Sequence, residues 1–192
     1  MTLGEILAVA AVGISALTLW DSHQERVRTE EKAVATADRA DAEAAVLVLR
    51  ATPSRDGDRL TLAPLNPEQA IQAQTILFPS ALKLPPVETT GDPRIEADWF
   101  AEPLKRARKG AGQKDEDPGD QRLPIIVVTH YLAGGARHTS RAIHDLGYTL
   151  EGRFLRGSAV TLRGMSIVRT VKEEGAQAAL DAVWTGRHRS AG

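Results

Sequence analysis

From Leu3 to Trp20 apolar residues run with a single charge, Glu5, and a charged stretch begins at once with Asp21. A bilayer crossing takes about 20 apolar residues, with a usable range from roughly 17, and this run has 18. Leu3, Ile6, Leu7, Val9, Val12, Ile14, Leu17, Leu19 and Trp20 supply its apolar surface, and Trp20 ends it where an interfacial aromatic belongs. The pattern predicts an uncleaved single-pass anchor, with the lipid bilayer as its partner. A cleavable signal peptide fits less well, because no Lys or Arg precedes the run and no clear small-x-small site follows it. The competing reading is a buried helix of a soluble homo-oligomer. Arg26, Arg28 and Lys32 lie just beyond the run, so the positive-inside rule puts the C-terminal domain in the cytoplasm and the N-terminus outside. In a bacterium that membrane would be the inner one.

From 21 to 44 the apolar period is lost, and Ala, Glu and Arg dominate without Gly or Pro. This predicts a helical stalk roughly 36 Å long at 1.5 Å per residue. Val27 and Val34 are a heptad apart, but Asp41 takes the next core position, so self-association through the stalk is the weaker reading.

The period then shortens. AVLVLRAT (45–52) and RLTLAP (59–64) flank the turn signal Pro53-Ser-Arg-Asp-Gly-Asp58 and predict a β-hairpin. Residues 70–79 mix helix and strand signals, with Asn66, Pro67 and Gln69 resembling a helix start and Thr75–Phe78 resembling a strand. The expectation is a strand over the second half. Asp92-Pro93 predicts a helix with Ile95, Trp99 and Phe100 on one face, kinked or restarted at Pro103. Residues 110–121 predict a flexible loop. Three runs then follow, Leu123–Ala133, Arg137 to about Leu155, and Ser158–Val171, separated by glycine-containing turns. They predict an antiparallel meander with bulges or bends at Gly147 and Gly152. Ala176, Leu180, Val183 and Trp184 repeat at helical spacing and predict a helix ended by Gly186, with 187–192 a disordered tail.

The sum is an α+β chain: an N-terminal transmembrane helix (1–20) continuous with the stalk, then a mainly antiparallel domain (45–186) with two helices on one face of the sheet. Composition changes this little. A net charge of -1 and 4% aromatic residues disfavour nucleic acid. The absence of cysteine excludes disulfides, thiolate nucleophiles, zinc fingers and iron–sulfur clusters.

Candidate chemistry is sparse. His130, His138 and His144 fall close together. A three-residue hairpin loop would set His130 opposite His138, within reach of one metal; a two- or four-residue loop sets it opposite Thr139 instead. No established ligand spacing is matched. Ser140, His144 and Asp145 cannot form a local triad. On a strand the first two sit roughly 13 Å apart at ~3.3 Å per residue, and Asp145 faces the other way. The acidic run at 115–120 lacks the calcium-loop Gly and Glu, and Gly110–Lys114 lacks the ending of a phosphate loop. Lys105, Arg106, Arg108 and Lys109 form the strongest basic cluster, with Arg187, His188 and Arg189 as companions. A helix end complementing its dipole explains it; contact with anionic lipid headgroups is the functional alternative. No catalytic residue, cofactor or metal is assigned. The leading expectation is a membrane-tethered interaction or scaffolding domain with an unidentified protein partner. The main alternative is a small enzyme or ligand-binding domain whose site is assembled around His130, His144 and Asp145.

Overall fold

The first hairpin forms where the alternating pattern and the turn residues predict it. In the computed structural model, which describes residues 46–113, 119–153 and 157–189, β1 (Leu49–Pro53) pairs antiparallel with β2 (Arg59–Pro64). The Ser54 hydroxyl donates to Asp56 Oδ1 at 2.5 Å, the Ser54 N–H donates to the Arg59 carbonyl at 2.8 Å, and Gly57 takes a φ of 72°. Leu60 and Leu62 point inward while Arg59, Thr61 and Ala63 stay exposed.

The helix expected from Asp92 does not form. Arg94–Glu96 is instead a strand, pairing with β2 so that Leu60 faces Ile95 and closing a three-stranded sheet. Period two wins over a short apolar face at helical spacing. Ile95 is buried, while Arg94 and Glu96 on either side lie half-buried, joined at 2.6 Å. After β3 (Ala70–Leu77), β4 (Val87–Thr90) and this β5 (Arg94–Glu96), a single 3₁₀ turn at Ala97–Trp99 leads into α1, Ala101–Gly110. Pro103 falls in the first turn of α1, where its missing N–H leaves no intrahelical bond unmade.

The strands β3 and β4, together with β6 (Gln121–Ala133), β7 (Ala136–Arg153) and β8 (Gly157–Thr170), make a five-stranded antiparallel sheet in the order β4-β3-β6-β7-β8. β3 is extended over its whole length, not only its second half. Asn66 caps a turn, accepting from the Glu68 N–H at 3.0 Å, and the backbone then pairs with β6. The β6–β7–β8 meander follows the sequence expectation, with Gly134 and Gly135 at φ 56° and 78° forming its tight first turn. A register shift falls at Gly147/Tyr148, as the glycine suggested, and another at Ile143/His144. Gly152 pairs regularly with Ser158. Pro124 is tolerated in a central strand because β3 pairing ends at Ile126, so its side of the ladder asks for no donor.

Alternation along β6 divides the core. Leu123, Ile125 and Val127 face the larger cluster, with Leu60, Leu62, Ile95, Phe100 and Leu104 of the small sheet and α1. Ile126 and Val128 face the smaller one, covered by Ala176 and Leu180 of α2 (Ala176–Arg189). The two helices therefore lie on opposite faces of the large sheet, not on one. Trp184 of α2 joins the larger cluster. Gly57 ties the sheets together, its carbonyl accepting from the Leu162 N–H at 2.7 Å.

A compact unit begins at Leu47. The helix α2 does not stop at Gly186; it runs on to Arg189, and Arg187 is fastened to the sheet rather than lying in a tail. Of the expected loop at 110–121, Gly110 belongs to α1 and Gln121 to β6, and residues 114–118 lie outside the described residues. Among the described residues no helix is long and apolar enough to cross a membrane. The expected anchor (3–20) and stalk (21–44) lie outside those residues.

Candidate functional site

The helix α2 is shorter than the sheet face it covers, and an opening is left at each of its ends. At the N-terminal end is a groove of about 760 Å³. Its floor is set by register: Leu77, Ile126 and Ile143 form one row across β3, β6 and β7, and Thr75, Val128 and Arg141 form the next. His130 and Thr139 stand at the outer rim, and Val171, Glu173 and Gln177 close the helix side. Aliphatic side chains thus make the bottom, and groups able to donate or accept hydrogen bonds make the edge. The rim is braced. His130 Nδ1 lies 3.0 Å from the Thr139 hydroxyl, and Arg141 pairs with Glu173 at 3.2 Å. The Val171 N–H donates to the Arg141 carbonyl, and Gln177 donates to the Phe78 carbonyl.

At the C-terminal end is a smaller cleft of about 280 Å³. Arg122, Gly147 and Gly164 form one row across β6, β7 and β8, and Pro124, Asp145 and Ser166 the next. Asp145 is buried, and Arg187 reaches down from α2 to its Oδ2 at 2.6 Å. The register shift at Gly147/Tyr148 gives β8 an extra residue, Arg163, which lines the cleft beside Gly164.

The hairpin turn decides the histidine question. With a two-residue loop, His130 faces Thr139 and His138 faces Tyr131, on whose ring it stacks with centroids 5.5 Å apart. His144 lies on the opposite face of the sheet from His130 and Asp145, buried, with Nδ1 3.2 Å from the Ala142 carbonyl. Burial holds its pKa below the ordinary 6.5, against the opposing pulls of that carbonyl and of Asp145. His130, His144 and Asp145 therefore do not share a site. Ser140 and His144 share a face that Asp145 does not. Among the described residues no three His, Asp or Glu side chains converge on a metal position.

The basic cluster is likewise divided. Arg106 and Lys109 are exposed, and Lys105 is half-buried and paired with Glu102 at 2.8 Å. Arg108 turns inward, 3% exposed, donating to Gln121 Oε1 at 3.1 Å and to the Tyr148 hydroxyl at 3.3 Å. It presents no charge to a headgroup layer. Sequence reasoning missed the Asp145–Arg187 contact and the Gly147–Gly164 row. Gly147 was legible as an irregularity, but nothing local marks Gly164 as its partner. Comparison with protein-family models, with curated proteins and with solved structures finds no match.

Proposed function

We propose that the chain is a membrane-tethered, non-enzymatic interaction domain. Residues 3–20 cross the bilayer, residues 21–44 hold the domain off it, and the domain faces the cytoplasm. There the groove at the N-terminal end of α2 takes a short extended segment of a partner protein. The observation that carries the binding part is the aliphatic floor of Leu77, Ile126 and Val128 inside a polar rim of Thr75, His130, Thr139 and Gln177. Apolar side chains of a partner gain by leaving water on that floor, and the rim fixes their direction through hydrogen bonds. The uncharged run ending in Trp20, with Arg26, Arg28 and Lys32 beyond it, supports the tether and its direction.

The chain has no cysteine, so an engineered one is unique. A photocrosslinker on Thr139→Cys in cells is expected to capture one protein that the same probe on Arg106→Cys does not. No adduct, or the same adducts at both positions, would refute the groove. Arg106→Cys should also resist a membrane-impermeant maleimide in intact cells; its labelling would overturn the orientation.

A further inference from the structure

We infer that the outer face of the first hairpin is the contact surface for a second copy of this chain. This stands independently of the tether and of the groove beside α2. Val48 and Leu65 lie side by side at the base of the hairpin, the Leu65 N–H donating to the Val48 carbonyl at 2.8 Å. The two residues are 51% and 53% exposed. The alternation that turns Leu60 and Leu62 into the core leaves Ala63 and Leu65 outside, and Pro67 extends the apolar surface. These neighbours gain by leaving water together.

The charges around the pair say what covers it. Arg50, opposite Ala63, lies one row along the hairpin on one side. The chain past Leu65 leads away from that row and carries Glu68 on the other side. Both are exposed, and among the described residues neither side chain has an ion-pair or hydrogen-bond partner. A basic group, an aliphatic centre and an acidic group, in that order, complement the same surface turned half round. A two-fold axis through the centre sets Val48 over the second copy's Leu65 and Arg50 over its Glu68, and each contact occurs twice. The opposite charges fix the register, and the aliphatic centre excludes water.

The chain has no cysteine, so Val48→Cys in the full chain, kept in mild detergent, gives one reactive thiol per copy. A short bismaleimide should join two copies through it, and should not join copies that carry Arg106→Cys on α1 instead. Adding Arg50→Glu to Val48→Cys sets a like charge against Glu68 and should cut the joined fraction several-fold. Adding Glu68→Arg as well exchanges the two signs and should restore it. Val48, Arg50 and Glu68 are all exposed, so these variants leave the core untouched. No joining through Val48→Cys, equal joining through Arg106→Cys, or a joined fraction insensitive to Arg50→Glu would overturn the proposal. A loss that Glu68→Arg does not reverse would overturn it too, since only a contact between the two groups predicts the rescue.

Discussion

Gly57 shows how one backbone position holds two sheets in place. Its positive φ is cheap only for glycine. A Cβ there would also overlap the Thr161 Cγ2 methyl, while its carbonyl takes the Leu162 N–H. Gly57→Ala should cost about 1–3 kcal/mol in urea unfolding, as strained backbone positions do. Adding Thr161→Ala should recover the clash but not the φ strain, so a full recovery would argue against the backbone account. His144 makes a second residue-scale case. Its folded pKa lies below the ordinary 6.5 because it is buried. The unfolded chain therefore binds more protons as pH falls below about 7. Stability is intact above that region and declines from near 6.5 down to the folded pKa. Unfolding free energies measured from pH 7.5 to 5 should show this decline, and His144→Gln should flatten it. An unchanged slope in the variant would assign the pH dependence elsewhere.

At the scale of elements, α2 is pinned along its length. Asp181 accepts from the Ser80 N–H and hydroxyl, both at 2.8 Å, Leu180 is fully buried, and Arg187 grips Asp145. Arg187→Ala leaves a buried carboxylate without its nearest donor and should cost about 1–3 kcal/mol. Hydrogen exchange should quicken at residues 184–187 while that at 178–181 changes little. Uniform quickening would mean that the helix detaches as a unit.

What the sequence made legible follows the same division. Leu123–Ala133 and its neighbours were readable as a meander because long alternating runs and glycine turns agree with each other. The segment from Asp92 was not, because Ile95, Trp99 and Phe100 fit a helical face equally well. Only the distant Leu60 opposite Ile95 settles it as a strand. Arg108 was misread for a related reason: a charged run says nothing about which member faces Tyr148. The two openings beside α2 were invisible, since the walls of the groove run from Thr75 to Gln177 and those of the cleft join three separate strands.

Across the whole molecule, burial is shared between two clusters on either side of one sheet, and the smaller depends on a single helix. Removing residues 1–44 should leave the midpoint of the remaining fold close to that of the full chain, since the unit beginning at Leu47 contains both clusters. A matched thermal scan checks this, and a loss of cooperative unfolding would show that the fold requires the segment before it.

The position of α2 after the eight strands of the described residues also shapes how the fold is reached. A nascent chain that has released β8 but not α2 can pair its whole sheet, yet Ile126 and Ile143 still face water. The edge strand β8 adds Ile167 and Val168, 61% and 40% exposed even in the finished fold. Closure must then wait for contacts such as Ser80 with Asp181, among the most distant in sequence and the slowest to find. The interval between completing the sheet and docking the helix is when this chain most needs protection from its own copies. A chain stopped at Glu174 would be held in that interval permanently, binding apolar dyes and associating as its concentration rises.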